Sequence, residues 1–180
     1  RSEPWGQHRS QLTGLGATTI VMGYRKMALD GDTVMAIEDL HLPPNSFETI
    51  GVRLDIPMFD PEQIETESAA LHALEHALGF VAPLLCGCDR SDLGSAWYAA
   101  FSDSLAPALF FFDTVPGGVG LCEALFERRR EWAVEAHKLL ESCRCAEGCP
   151  RCLLSARCEA MNQLLDKQGA IRLLGALLAQ

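Results

Sequence analysis

The first third of the chain is patterned like β-strands. Apolar and β-branched residues run through residues 18–29 and 33–40, and the turn Asp30-Gly31-Asp32 between them suits a tight hairpin. In residues 47–56 the side chains alternate in character, so that one face of a strand is aliphatic. That face carries Ile50, Val52, Leu54 and Ile56. The pattern predicts an antiparallel β-meander with one buried face.

The rest of the chain is patterned mainly like helices. Within residues 61–85, apolar residues recur every three or four positions, and Pro83 should kink or end that helix. A continuous apolar run at residues 107–112 predicts a buried strand, and a second long helix should end near residue 142. Asp166 is placed to cap a final helix. We therefore predict an α+β fold in which the meander packs with two long helices, a further buried strand and a C-terminal helix.

The chain length and the net charge restrict the classes of function that the protein can have. The chain has 180 residues, of which 48% are hydrophobic, enough for one domain over residues 18–180, preceded by a flexible N-terminal segment or interdomain joint over residues 1–17. No run of about 18 apolar residues is present, so we expect no membrane span. With 15 basic against 24 acidic residues, the net charge of −9 confines any contact with DNA to a local patch.

Cysteine supplies the strongest chemical signal. Five of the eight cysteines lie within residues 143–158. The spacing C-x-C-x3-C-x2-C lets four thiolates converge on one ion in tetrahedral geometry, for which zinc is the first candidate. These four are Cys143, Cys145, Cys149 and Cys152, with Cys158 as a possible substitute. Four protein ligands leave no position for water, so the predicted zinc is structural.

Two other assignments for these cysteines stay open at this point, a disulfide cluster and an iron–sulfur cluster. The chain shows no signal peptide, and its clustered cysteines suit a reducing compartment, so we expect a cytoplasmic protein.

Three further patterns are candidate functional sites. His72-Ala-Leu-Glu75-His76 matches the H-x-x-E-H pattern of a zinc peptidase, which also needs a third protein ligand, usually an acidic residue on a later helix; histidines hydrogen-bonded to a neighbouring element are favoured. The amides of Gly117 and Gly118, in a turn before a helix, could face a DNA phosphate. The basic residues near the cysteines that could bind phosphates are Arg144, Arg151, Arg157 and Lys167.

Short motifs follow one another in a fixed order along residues 18–178. They are Gly23-Tyr24-Arg25-Lys26, Leu42-Pro43 with Phe47-Glu48-Thr49, His72-Ala-Leu-Glu75-His76-Ala, Cys88-Asp89-Arg90 with Asp92-Leu93-Gly94, Asp113 with Pro116-Gly117-Gly118-Val-Gly120-Leu121, Cys145 with Gly148-Cys149-Pro150-Arg151-Cys152, and Leu165-Asp166-Lys167 with Ala170. This series resembles the MrfA-type zinc-binding C-terminal domain of superfamily 2 DNA helicases, the mitomycin repair factor A family.

The resemblance implies a module of an ATP-dependent helicase that moves 3′ to 5′ and takes part in DNA repair. It implies one zinc on Cys143, Cys145, Cys149 and Cys152. The family's later cysteine lies in a Ser-Pro-Lys-Cys-Gly-Asn context, where this chain has Ser155-Ala-Arg-Cys158-Glu-Ala.

The implied partners are single-stranded DNA, within the parent helicase, and the helicase motor domains. No G-x-x-x-x-G-K-[ST] phosphate loop is present, so we expect no enzymatic activity from this chain alone and a motor elsewhere in a larger polypeptide. Similar domains also occur in phage-defence proteins, and a protein–protein adaptor of such a helicase-associated complex, without DNA contact, is the alternative. A metallohydrolase built on His72, Glu75 and His76 is the third hypothesis.

Overall fold

The computed structural model describes residues 1–5, 8–29, 33–40, 42–56, 64–99 and 107–179. Over these residues the chain has an α+β fold, as predicted. The strands are β1 (Ser2–Trp5), β2 (His8–Thr19), β3 (Gly23–Met27), β4 (Val34–Asp39), β5 (Asn45–Asp55), β6 (Leu93–Tyr98) and β7 (Ala108–Asp113). The helices are α1 (Ile64–Cys86), α2 (Leu121–Glu127), α3 (Arg129–Ser142) and α4 (Lys167–Leu178).

A five-stranded antiparallel sheet forms one layer of the domain, in the order β1-β2-β5-β7-β6. β5 lies in the middle, with Ser10 opposite Leu54 on one side and Phe111 opposite Val52 on the other. Val52, Leu54 and Ile56 are almost completely buried, which confirms the predicted aliphatic face. This face packs against the helices in one continuous core.

The predicted meander is wrong in its strand pairing. β3 and β4 form a separate two-stranded ribbon, and β5 pairs with β2 instead of β4. β1 and most of β2 lie within residues 1–17, which the sequence predicted to be a flexible N-terminal segment or interdomain joint. Gly14, Gly16 and neighbouring polar residues weaken the local strand pattern of β2. The predicted Asp30-Gly31-Asp32 hairpin lies outside the described residues.

Helix α1 runs through the core, where Leu71, Leu74 and Leu78 are at most 1% exposed. Among the described residues, its stretch Thr66–Cys86 could cross a membrane by length and composition alone. However, 56% of its most apolar 18-residue part is buried inside the protein. Contacts with the sheet, α3 and α4 account for this hydropathy, because a helix surrounded by protein is apolar on most sides.

The predicted second long helix is divided in two at Arg128, where the backbone leaves helical geometry between α2 and α3. Trp132 of α3 is fully buried, and its indole nitrogen donates to the Leu78 carbonyl at 2.9 Å. Asp166 caps α4 as predicted, since its carboxylate accepts from the Gly169 amide at 2.9 Å. The cysteine-rich segment therefore joins two helices that both pack on α1.

Candidate metal centre

The four predicted cysteines converge in the segment between α3 and α4. Their sulfur atoms all lie within 4.8 Å of one another. The Sγ···Sγ distances are 3.5 Å for Cys143–Cys145, Cys143–Cys149 and Cys145–Cys152, and 3.8 Å for Cys149–Cys152. A zinc ion with Zn–S bonds of about 2.3 Å and tetrahedral angles separates its sulfurs by about 3.8 Å. The group can therefore hold zinc with little rearrangement.

Local backbone geometry builds this group, which we call the knuckle (Cys143, Cys145, Cys149 and Cys152). Gly148 has φ of 135°, a conformation that residues with a side chain rarely adopt. The Cys149 carbonyl then accepts from the amides of Cys152, Leu153 and Leu154, which folds the chain into a tight turn. The sulfurs are 3.5 Å apart or more, well beyond the roughly 2.05 Å of a disulfide bond, and all eight cysteines are unpaired.

The knuckle sulfurs differ in acidity. Hydrogen bonding from the Cys145 backbone, followed by that from the neighbouring thiols, lowers the pKa of Cys143 to about 7. Burial raises the pKa of Cys152 to about 12. Because the thiolate is the form that binds metal, a divalent cation would have to offset the cost of ionising Cys152.

Lys167 lies beneath the knuckle and does not face solvent. It is only 4% exposed, and its ammonium group donates to the carbonyls of Cys143 at 2.6 Å and Cys145 at 2.7 Å. It also lies 3.5 Å from the Cys145 sulfur. The prediction that Lys167 contacts nucleic acid is therefore wrong: this cation links the first turn of α4 to the knuckle.

Arg144, Arg151 and Arg157, the other basic residues predicted to contact phosphates, are exposed. Within the described part of the chain, none of these three guanidinium groups pairs with a carboxylate. Their contact with DNA stays a prediction.

The glycine-rich turn already holds an anion of its own chain. The buried Asp113 carboxylate accepts from the amides of Val119 at 2.6 Å, Gly120 at 3.0 Å, Leu121 at 3.3 Å and Cys122 at 2.9 Å. Burial alone would raise the pKa of Asp113, but these hydrogen bonds outweigh it and the pKa is lowered. The turn is thus built around a carboxylate.

The amides of Gly117 and Gly118 are also engaged. Gly117 donates to the Glu48 carbonyl at 2.8 Å and Gly118 to the Val115 carbonyl at 2.9 Å. The predicted phosphate contact through these two amides is therefore wrong, since a phosphate would have to compete with intact backbone hydrogen bonds.

Cys158 does not substitute for a knuckle cysteine. Its sulfur lies 3.3 Å from His72 Nε2 and, with His76, forms a second group whose ligand atoms lie within 4.8 Å of one another. The sequence missed this group because residues 72 and 158 are far apart in the chain. Its only local signal was the H-x-x-E-H pattern, for which we expected an acidic third ligand.

The two histidines are hydrogen-bonded to a neighbouring element, as the favoured interpretation predicted. His72 Nδ1 lies 3.2 Å from the Leu164 carbonyl, and His76 Nδ1 lies 2.5 Å from the Leu153 carbonyl. Burial lowers the pKa of both imidazoles, and the neighbouring His76 lowers that of His72 further. Burial also raises the pKa of Glu75, whose carboxylate accepts from the Ser95 hydroxyl.

The α+β fold and the four-cysteine knuckle together define a zinc-binding domain. The family model of the MrfA Zn-binding domain matches residues 74–153, which include α1 from its middle, the sheet edge and all four knuckle cysteines. The chain belongs to this family, as the resemblance predicted.

Two relatives show how far the similarity extends. Protein MJ1572.1 of Methanocaldococcus jannaschii is 35% identical over 112 residues, covering 61% of this chain and the whole of that protein. The ATP-dependent helicase hrq1 of Schizosaccharomyces pombe is 31% identical over 183 residues, covering 91% of this chain but 17% of the helicase.

A solved structure has the same fold. The crystal structure of the DUF1998 helicase MrfA bound to DNA matches with a TM-score of 0.73 and 22% identity, over 97% of this chain and 23% of that one. The chain thus spans less than a quarter of either helicase.

Proposed function

We propose that this chain is the zinc-binding accessory domain of an ATP-dependent 3′–5′ DNA helicase that takes part in DNA repair. Membership of the MrfA Zn-binding family supports the helicase context, and so does the 31% identity to hrq1 over 91% of this chain. The observation that carries the proposal is that the four knuckle sulfurs lie within 4.8 Å of one another, close enough to share one metal ion. ATP hydrolysis and translocation belong to motor domains of the parent protein.

In this proposal the zinc is structural and is held by Cys143, Cys145, Cys149 and Cys152. It fixes the end of α3 relative to the start of α4, with Lys167 completing the link on the α4 side. Structural zinc contributes about 10–16 kcal/mol in small peptides, comparable to the whole stability of a domain.

The substitution Cys149→Ser tests this assignment. It should abolish zinc binding at the knuckle and lower the melting temperature, whereas Cys88→Ser, at a half-buried cysteine outside both groups, should change neither. Zinc content and thermal unfolding of the three proteins provide the measurement. Unchanged values for the Cys149 variant would refute the ligand assignment.

The second part of the proposal concerns DNA. Arg144 and Arg151 are adjacent in the chain to knuckle cysteines, Arg157 is adjacent to Cys158, and all three are exposed; we propose that they act as a basic patch that contacts the backbone of a single strand beside the motor. Three phosphate contacts predict that log K falls with log salt with a slope of about −2. This local patch would act despite the net charge of −9.

Fluorescence anisotropy with a labelled single strand tests the patch. Replacing the three arginines with glutamine should remove the salt-dependent binding. An equal change of charge elsewhere, at Lys26, Arg128 and Lys138, should leave most of it, because these side chains are paired with Glu38, Glu131 and Glu135. Equal losses from both triple variants would refute a specific role for the patch.

The adaptor hypothesis also has support in the structure. The β3–β4 ribbon and its flanks expose apolar side chains, among them Met22 at 75%, Met35 at 71% and Ile37 at 69%. Exposed apolar surfaces of this kind mark protein contacts, so the ribbon is suited to dock on motor domains or on another protein. If the isolated chain bound no DNA at any salt concentration, docking would be favoured as its main role.

A further inference from the structure

His72, His76 and Cys158 form a second cluster of potential metal ligands, separate from the knuckle. The two histidines lie one turn apart on α1, and Cys158 reaches them from the segment between the knuckle and α4. The cluster lies in the wall of a cleft of about 1030 Å³, next to Trp97, whose ring stacks on that of His72 at 5.2 Å between centroids. The three residues line this cleft, although His72 and His76 are only 2% and 4% exposed.

The hydrogen bonds of the histidines suit metal binding. In both rings Nδ1 faces a backbone carbonyl, of Leu164 for His72 and of Leu153 for His76. A carbonyl only accepts, so each neutral ring carries its proton on Nδ1, and its Nε2 is unprotonated with a lone pair that can bind a metal. This arrangement, in which the other ring nitrogen donates to a carbonyl, accompanies almost all histidines that bind metals.

The thiol is brought to this position by a structured loop. The side chain of Asn162 accepts from the Ser155 backbone amide at 2.7 Å and donates to the Ser155 carbonyl at 3.0 Å. The backbone amide of Asn162 donates to the Cys158 sulfur at 3.2 Å. Met161, Asn162 and Leu164 all have positive φ, between 53° and 58°. Residues with side chains adopt this conformation at a cost of about 1–3 kcal/mol each, so the surrounding contacts hold the loop in place.

The distance between Cys158 and His72 fits a tetrahedral ion, and the three ligand atoms lie within 4.8 Å of one another. Zinc bonds of about 2.3 Å to sulfur and about 2.05 Å to nitrogen place the two ligand atoms about 3.5 Å apart. The observed distance from Cys158 Sγ to His72 Nε2 is 3.3 Å. Two imidazoles and one thiolate are ligands that zinc accepts readily, as do nickel and cobalt.

We propose that His72, His76 and Cys158 bind a second zinc ion, whose fourth position is open to the cleft. Three protein ligands with an open position distinguish this site from the closed knuckle. Glu75 stands beside it, with Oε2 3.6 Å from His76 Nε2 and its other oxygen held by Ser95. The carboxylate is thus placed to accept a proton from water in the fourth position, or to enter that position itself.

Zinc content per chain tests the proposal. The chain purified without added metal and then saturated with zinc should retain about two ions after gel filtration. Cys158→Ser and the double substitution His72→Gln with His76→Gln should each reduce this to about one. The matched controls Cys88→Ser and His137→Gln, outside both groups, should retain two. One ion in the parent chain, unchanged by Cys158→Ser, would overturn the proposal.

X-ray absorption at the zinc edge gives an answer that does not depend on folded variants. Two sites, one with four sulfurs and one with one sulfur and two imidazoles, average to about 2.5 sulfurs per zinc and show imidazole scattering. An average of four sulfurs without imidazole scattering would mean that only the knuckle is filled, which overturns the proposal. A histidine signal lost on replacing His72 and His76 would assign the second ion to this cluster.

Discussion

The substitution Lys167→Met should destabilise the domain strongly, although it changes neither a cysteine nor the sheet. Lys167 is only 4% exposed, and its ammonium group donates to two knuckle carbonyls, at 2.6 and 2.7 Å. A hydrogen bond to a charged group contributes about 1.5–3 kcal/mol, so two of them give about 3–6 kcal/mol. This is a large part of the 5–15 kcal/mol that stabilises a typical domain.

The zinc ion adds to the effect. A zinc ion with four thiolates carries a net charge of −2, and Lys167 is the cation next to one of those sulfurs, 3.5 Å from Cys145 Sγ. Removing the positive charge should therefore weaken zinc binding as well as folding. Methionine keeps the length and apolar stem of the side chain, so the loss reports mainly the ammonium group.

Urea unfolding of the zinc-loaded protein, followed by circular dichroism, measures the first effect, and competition with a chromophoric chelator measures the second. Lys138→Met is the matched control, because its side chain is 63% exposed and its ion pair with Glu135 should contribute at most about 0.5 kcal/mol. If the Lys167 variant unfolds within about 0.5 kcal/mol of the parent chain and retains its zinc affinity, the structural role assigned to this ammonium group is refuted.

Two further predictions concern stability. Asp113→Asn should cost about 3 kcal/mol in chemical denaturation at pH 7, because a neutral amide replaces a buried carboxylate that accepts four backbone hydrogen bonds. The pKa of Asp113 is lowered in the folded protein, so its contribution to stability is present above the ordinary pKa of 3.8 and is lost as pH falls through the folded pKa. The Asp113→Asn variant should therefore lose less stability in acid than the parent chain. Equal acid profiles of the two proteins would contradict this. Gly169→Ala should cost about 1–3 kcal/mol, because the new methyl group would overlap Ala70 of α1, whereas Gly175→Ala on the same helix has room and should be neutral or slightly stabilising. Similar melting temperatures for the two alanine variants would contradict the packing of α4 on α1.

Short-range patterns predicted the knuckle and the α4 cap well. The knuckle lies within residues 143–152, and one tight turn with Gly148 brings its sulfurs together, so spacing alone was informative. The cap depends on Asp166 and an amide three residues later. In both cases the chemistry and the geometry are encoded in the same few residues.

Long-range contacts could not be predicted in this way. The pairing of β2 with β5 depends on a register between distant segments, and β2 lacks the aliphatic alternation that marks a strand. A lysine is usually exposed, and only the fold shows that the ammonium group of Lys167 donates to two knuckle carbonyls. Cys158 seemed a spare knuckle ligand because sequence distance concealed its contact with His72.

Residues 143–166 explain why these contacts are needed. This long segment contains no helix or strand, although it lies against the core of the domain, and loops of this length seldom keep one structure without additional support. The knuckle supports its first half and the contacts of Cys158 and Asn162 support its second half. Lys167 connects its start to α4, and the carbonyls of Leu153 in its middle and Leu164 near its end connect it to the histidines of α1. The burial of His72 and His76 on α1 is therefore explained by the segment that covers them, and metal ligation stabilises a region that has no ladder of backbone hydrogen bonds.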